Sequence, residues 1–138
     1  MQLNPYLFFN GNCAQAFKFY EHVLGGKEQF RMTYGQSPMC KDFPADMQDR
    51  IVHIRMLIGE TPLMGADCPP DRFEKPQGVS MNIAVATETE AERVFKALSE
   101  GGSVTMAIQP TFWAARFGMC LDKFGIAWMV NCEHKPKS

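Results

Sequence analysis

The fold is decided by residues 13–26, CAQAFKFYEHVLGG, and by a later stretch with the same pattern, residues 91–102, AERVFKALSEGG. In both stretches apolar residues recur at helical spacing, which gives a helix one apolar face. A glycine pair then ends each helix, since glycine readily leaves the helical conformation. The two apolar stripes superimpose at an offset of about 78 residues, which predicts an internal duplication. The matching positions are Cys13 with Ala91, Ala16 with Val94, Phe17 with Phe95, and Tyr20 with Leu98.

Strands surround each predicted helix in the same order. An apolar strand precedes each helix, at residues 5–9 and 79–86. Asn12 is a candidate N-cap of the first helix, and Thr87 opens overlapping capping boxes before the second. Pro62 indicates either a sheet edge or the beginning of a strand. Three further strands follow each helix, at residues 27–34, 50–58 and 61–66 in the first copy and at residues 103–109, 113–122 and 126–132 in the second.

This order predicts an α+β chain in which residues 1–138 form a single domain of two βαβββ modules. The first module covers about 1–70, and the second covers about 78–133 and is followed by a short C-terminal tail. Residues 35–49 form the longest predicted loop. A helix covers only one face of its sheet, so the other face needs a partner. We therefore expect the duplicated modules to face each other around a cleft.

Composition narrows the class of protein. The chain has 14 basic and 15 acidic residues, so no charge excess directs it to nucleic acid or to an anionic membrane. Its longest apolar runs are too short to span a bilayer, and its start does not resemble a signal peptide. The five cysteines are odd in number and lack Cys-x-x-Cys spacing, which argues against a disulfide framework. We expect a cytoplasmic protein with no membrane or nucleic-acid partner.

Three stretches carry a resemblance to a known family. They are residues 5–14, PYLFFNGNCA; residues 111–114, TFWA; and residues 122–131, DKFGIAWMVN. On these residues the chain resembles the glyoxalase / vicinal-oxygen-chelate (VOC) superfamily, and within it the PhnB-like branch. The resemblance implies paired βαβββ modules whose curled mixed sheets enclose a cleft. It also implies a homodimer, in which modules of two chains can pack together or exchange.

Proteins that resemble this chain are sometimes named demethylubiquinone methyltransferases. A nucleotide-type cofactor site needs a glycine-rich turn that follows a strand and opens a helix. The sequence has no such turn. We therefore expect neither methyltransferase activity nor a bound cofactor, and whether the chain is an enzyme at all stays open.

The resemblance also implies where a metal would be held. Metal-dependent members of the superfamily carry His, Gln or Glu on the first and last strand of each module. Here the first position falls at or next to Pro5, and the other three fall on Met64, Asn82 and Met129. Proline has no donor side chain and methionine is a soft ligand, so neither suits a hard or borderline divalent ion. The sequence predicts no metal site. The alternative, a divalent-metal lyase, dioxygenase or thiol transferase, would need other ligands, such as His53 with Asp67.

Five residues are the candidates for the lining of the cleft: His53, Met64, Asn82, Trp113 and Met129. His53 is the only histidine in mid-strand, and it is either a pocket acid or base or a half-buried strand residue. Trp113, with its aromatic neighbours Phe112 and Phe117, is either a lid over a flat ligand or a packing or dimer contact.

Four other residues have both a functional and a structural interpretation. Asp67 and Asp122 end strands, where they either orient a ligand or cap turns. Cys120 is either a nucleophile or a buried inert thiol, and Arg116 either neutralises an anionic ligand or forms a surface ion pair. We expect a metal-free protein that binds a small apolar or aromatic molecule. A metal enzyme and a purely structural dimer are the alternatives.

Overall fold

The structure of the protein, a computed structural model, describes residues 1–135. The chain forms two compact units, of which one ends at Glu74 and the other begins at Lys75. Each unit holds one helix and one four-stranded mixed sheet. The predicted α+β fold of two βαβββ modules is confirmed. Within residues 1–135, neither α-helix is long and apolar enough to cross a membrane.

The first module has the spatial strand order β1-β4-β3-β2. β1 runs parallel to β4, and the other neighbours are antiparallel. The long connection between β2 and β3 contains three single-turn 3-10 helices rather than a strand or an α-helix. The elements are β1 (Tyr6–Phe9), α1 (Cys13–Leu24), β2 (Lys27–Thr33), β3 (Ile51–Ile58) and β4 (Thr61–Asp67).

The second module repeats this topology with the order β5-β8-β7-β6. Its first and last strands, β5 and β8, are again the parallel pair. The chain order explains this pairing. The helix returns the chain to the start of the sheet, so the strand after it runs in the same direction as the strand before it. Two reversals later, the last strand again runs in that direction and pairs in parallel with the first. The elements are β5 (Met81–Val85), α2 (Glu88–Ser99), β6 (Ser103–Gln109), β7 (Arg116–Leu121) and β8 (Ala127–Cys132).

Each helix buries the apolar stripe that the sequence predicted. Cys13, Ala16, Phe17 and Tyr20 of α1 are buried, and so are Ala91, Val94, Phe95 and Leu98 of α2. Alternate strand residues meet these stripes, since side chains alternate between the two faces of a sheet. The helix-facing strand residues include Leu7, Phe9, Ile54 and Met56 in the first module and Cys120, Trp128, Val130 and Cys132 in the second.

One local prediction is right in position but not in its hydrogen bond, and another is wrong. Asn12 is at the N-cap position of α1, but its side chain makes no capping hydrogen bond. The Asp67 carboxylate accepts from the Cys13 N–H instead, 54 residues away along the chain. The sequence predicts Trp113 as the first residue of a strand, but Trp113 lies in the turn before β7. That turn is closed because the Ala114 N–H donates to the Thr111 hydroxyl, 3.0 Å away.

Pro62 is the second residue of β4, which is a central strand of its sheet. Of the two interpretations left open by the sequence, the beginning of a strand is therefore correct. β1 pairs with β4 only from Met64 onward, so the missing N–H of Pro62 costs no hydrogen bond to β1.

Candidate functional site

The face of the first sheet turned away from α1 carries a row of four side chains. Tyr6, Met64, Arg55 and Phe30 are successive cross-strand partners, one from each strand of the sheet. Partners in register project from the same face of a sheet, so the four side chains form one continuous row. We call this surface the first helix-free face; besides the row it includes Phe8, Met32 and His53.

An aromatic cluster lies at the centre of the first helix-free face. The Tyr6 hydroxyl and His53 Nδ1 are 3.0 Å apart and share a hydrogen bond whose donor depends on the imidazole tautomer. The two rings are stacked, with centroids 5.6 Å apart. Phe8 lies 5.1 Å from the Tyr6 ring, and Phe30 lies 5.8 Å from the His53 ring. The cluster therefore combines apolar ring surface with one polar pair.

The rings of this cluster are accessible. Tyr6 is 38% exposed, Phe8 51% and Phe30 44%. Burial raises the pKa of Tyr6 above its ordinary value, and the nearby thiol of Cys13 adds to the rise. The phenol therefore keeps its proton at neutral pH, and the hydroxyl can both donate and accept.

The second module carries a corresponding row of different chemistry. Asn82, Met129, Met119 and Met106 are successive cross-strand partners across its four strands. Three neighbouring methionines give this row an apolar and adaptable surface. We call it the second helix-free face; besides the row it includes Phe117 and Asn131, which are cross-strand partners of each other.

The aromatic residues predicted near this face do form a cluster. The Trp113 ring lies 5.3 Å from Phe117 and 4.7 Å from Phe112, edge-on to both. Phe112 is 92% exposed at the tip of the turn, and Trp113 is 47% exposed. Trp113 thus connects the second helix-free face to an exposed turn.

The five predicted cleft residues fall into two groups. His53 and Met64 lie on the first helix-free face, and Asn82 and Met129 are partners on the second, where Trp113 packs on Phe117. Sequence reasoning missed Tyr6, Phe8 and Phe30 on the first face and Met106 and Met119 on the second. The segment YLFF is apolar throughout, so its sequence does not mark Tyr6 and Phe8 as the exposed pair, and only the structure shows the alternation of exposed and buried residues.

The positions implied for a metal carry side chains that are poor metal ligands. Met129 pairs with Asn82, and Met64 pairs with Tyr6, the residue next to Pro5. A thioether with a phenol in one module, and a thioether with an amide in the other, do not suit a hard or borderline divalent ion. Among residues 1–135, no group of three or more His, Cys, Asp or Glu side chains could hold a metal ion.

The two strand-ending aspartates are structural. Asp67 is 2% exposed, and its carboxylate accepts from the N–H groups of Gly11, Cys13 and Ile51 at 2.8, 3.0 and 2.9 Å. Asp67 thereby occupies the N-terminus of α1, the place where a helix usually offers free N–H groups to a phosphate. Asp122 is likewise buried and accepts from backbone N–H groups of its turn.

The two remaining candidates also have structural surroundings. Cys120 is buried, and burial, followed by the charge of Asp122, raises its pKa to about 11, so it remains a thiol at neutral pH. Arg116 forms ion pairs with Glu88 at 2.8 Å and with Glu92 at 3.0 Å. These pairs link β7 to the first turns of α2.

Comparison with known structures identifies the fold class. The chain resembles the glyoxylase/bleomycin resistance/dioxygenase domain from Frankia sp. EAN1pec, with a TM-score of 0.65 at 12% identity over 97% of this chain and 98% of that one. The fold is therefore that of the VOC superfamily, as the sequence resemblance implied. The chain belongs to the family described as 3-demethylubiquinone-9 3-methyltransferase, whose model matches residues 1–131.

Three further proteins are similar to this chain over nearly its whole length. Protein YjdN of Escherichia coli K12 is 33% identical over 139 aligned positions, which cover 95% of each protein. The crystal structure of protein PA1353 from Pseudomonas aeruginosa is 48% identical, with a TM-score of 0.89 over 98% of this chain and 99% of that one. A PhnB protein from Bacillus cereus has the same fold, with a TM-score of 0.82 at 20% identity over 96% and 99% of the two chains.

Proposed function

We propose that this chain binds a small aromatic or apolar molecule on its first helix-free face, and that binding requires no metal ion. The observation that carries this proposal is the exposed cluster of Tyr6, His53, Phe8 and Phe30. Ring faces favour a flat apolar ligand, and the Tyr6–His53 pair offers it one hydrogen-bonding site. The metal-free form is supported by the residues at the implied ligand positions.

The size of the cluster sets the expected affinity. A bicyclic aromatic molecule can contact two or three rings, each contact adding about 0.5–1.5 kcal/mol to the gain from apolar burial. After the cost of immobilising the ligand, a dissociation constant on the order of 0.1–1 mM is reasonable for so small a probe. This range is measurable by NMR titration.

The test is a titration of the full chain with 1-naphthol, followed by ¹H–¹⁵N NMR. Saturable shifts are expected at the backbone amides of Tyr6, Phe8, Phe30 and His53. Decahydro-1-naphthol keeps the hydroxyl but has no aromatic face, and it should bind more weakly. A role of Asn82, Met129 and Trp113 in binding remains a prediction. Shifts at their backbone amides in the same spectra would test it.

Two variants make the test specific. Phe30→Leu removes a ring from the cluster and should weaken 1-naphthol binding about three- to tenfold, equivalent to about 0.7–1.4 kcal/mol. Phe112→Leu removes an exposed ring from the turn before β7 and should leave the affinity unchanged. Equal effects of the two variants would mean that the probe binds nonspecifically to exposed rings.

The alternatives predict different results. For a metal enzyme, metal analysis of untagged protein should find a stoichiometric amount of Ni, Zn, Mn or Fe, whereas the proposal expects less than about 0.1 equivalent. For a purely structural dimer, 1-naphthol should not shift the cluster. Light scattering should then give the mass of two chains, and Phe112→Ser should reduce it to that of one. The homodimer itself is compatible with the proposal.

A further inference from the structure

Arg55 occupies a distinctive position on the first helix-free face. It stands in the middle of the row, between Met64 on β4 and Phe30 on β2. His53 lies two residues before it on the same strand, and therefore on the same face. A permanent positive charge thus borders the aromatic cluster proposed to bind the ligand.

The hydrogen-bond partner of Arg55 is neutral. The Arg55 Nε donates to the neutral amide oxygen of Gln29, 3.0 Å away. Among residues 1–135, no carboxylate lies within ion-pairing distance of its guanidinium group. Arg31, in the neighbouring strand but outside the row, differs in this respect: its Nε and Nη2 donate to the Glu28 carboxylate at 3.2 and 2.7 Å.

This difference has a physical consequence. The hydrogen bond to Gln29 holds the Nε side of the Arg55 guanidinium group. The Nη groups of Arg55 donate to no acceptor within residues 1–135. A guanidinium group binds a carboxylate through two parallel hydrogen bonds, which are stronger than bonds between neutral groups. On a half-buried face bordered by rings and a thioether, such a bond is less screened than in open water.

We propose that Arg55 makes the first helix-free face selective for small aromatic carboxylates, with the ring on the aromatic cluster and the carboxylate on the guanidinium fork. This inference rests on the proposed function and specifies the class of its ligand. A neutral aromatic molecule would not use the fork in this way.

The experiment compares 1-naphthoate with 1-naphthol, two probes that share a ring system and differ in charge. The wild-type chain is expected to bind 1-naphthoate about tenfold more tightly, which corresponds to about 1.4 kcal/mol. Arg55→Gln should abolish this preference and change the affinity for 1-naphthol by less than about twofold. Arg31→Gln removes the same charge from the same sheet, and it should retain the preference.

Two further measurements test the role of Arg55 if Arg55→Gln does not fold. Arg55→Lys keeps the charge and loses the fork, so it should retain only part of the preference. In the wild type, added salt should weaken 1-naphthoate binding and leave 1-naphthol binding unchanged.

The failures of the two proposals can be distinguished. If 1-naphthol shifts the cluster but 1-naphthoate binds no more tightly, or if Arg31→Gln loses the preference equally, the role of Arg55 is overturned and the proposed function stands. If neither probe shifts the cluster, the proposed function itself fails.

Discussion

The two modules share a framework and differ on the face that the helix leaves uncovered. Facing the helix, both bury the same kind of apolar stripe against alternate strand residues. On the helix-free faces, the row Tyr6–Met64–Arg55–Phe30 corresponds to Asn82–Met129–Met119–Met106. Packing under the helix restricts both modules in the same way, whereas the uncovered face is free to take on different chemistry. The proposed function uses the face on which the two modules differ.

The buried aspartates extend the comparison to the framework itself. Asp67 joins segments that are distant in sequence, since its three N–H donors lie 16 to 56 residues away. Asp122 accepts from Phe124 and Ile126 in its own turn and from Trp128 Nε1, no more than six residues away. One carboxylate therefore holds the first module together, while the other stabilises a local turn.

The largest expected effect comes from removing these carboxylates. Asp67→Ala leaves three N–H groups without their acceptor, and it should lower the free energy of unfolding by about 4 kcal/mol. Asp122→Ala should cost about 2 kcal/mol, because its turn keeps backbone hydrogen bonds between Asp122 and Ile126 and between Gly125 and Asp122. Urea unfolding, with the midpoint and slope both fitted, measures the two losses.

An exposed aspartate supplies the control for this pair. Asp71 lies in the connector after β4, and Asp71→Ala should change stability by less than about 0.5 kcal/mol. Equal losses for Asp67→Ala and Asp122→Ala would contradict the distinction between long-range and local hydrogen bonding.

A glycine beneath each helix is the second point of comparison. A Cβ at Gly65 would lie 2.7 Å from the Phe17 ring, and a Cβ at Gly118 would lie 2.7 Å from the Phe95 ring. Phe17 and Phe95 are matched positions of the duplicated stripe. The glycines, however, come from β4 and β7, which are not corresponding strands. In each module the phenylalanine at the matched helix position packs over a glycine, but the glycine comes from a different strand of the module.

Alanine at either glycine should overpack its module. Gly65→Ala and Gly118→Ala are each expected to cost about 1–3 kcal/mol, because the ring and the backbone beside it must move. Phe17→Leu should recover part of the loss in Gly65→Ala, and Phe95→Leu part of the loss in Gly118→Ala. Double-mutant cycles by urea unfolding measure this coupling.

Crossed pairs serve as the control, since the ring nearest to Gly65 is that of Phe17 and the ring nearest to Gly118 is that of Phe95. Phe95→Leu combined with Gly65→Ala should give additive losses. Coupling in the crossed pair as strong as in the direct pair would contradict the explanation by local overpacking.

These residues also indicate how far the sequence alone can lead. The helical stripes, their glycine ends and the strand order follow from local periodicity, so the two βαβββ modules could be predicted. The contact of Asp67 with Cys13 spans 54 residues and has no periodic signal. The sequence places the partner of Met64 only at or next to Pro5, because a register shift of a single residue decides which side chain pairs with it. Within residues 1–135 Arg55 has no ion-pair partner, and this depends on which carboxylates the fold brings close to it.

The smallest expected effect concerns a thiol in each module. Cys13 and Cys120 are both buried, burial raises the pKa of both, and the charge of Asp67 or Asp122 adds to the rise. The pKa of Cys120 is about 11 in the folded chain against an ordinary value of 9.0. Because the folded pKa is the higher one, the contribution of Cys120 to stability is fully present below pH 9.0. It is lost as the pH rises through about 11.

The urea midpoint of the wild type should fall as the pH rises through this alkaline range. In Cys120→Ala this fall should be smaller. The same variant measured well below pH 9.0 isolates the packing loss, since the thiol is then protonated in both the folded and unfolded states. Cys13→Ala should reduce the alkaline fall in the urea midpoint by more than Cys120→Ala does, because burial raises the pKa of Cys13 further. An alkaline slope that neither variant changes would mean that the thiols titrate alike in the folded and unfolded chain, and that the two modules do not protect them.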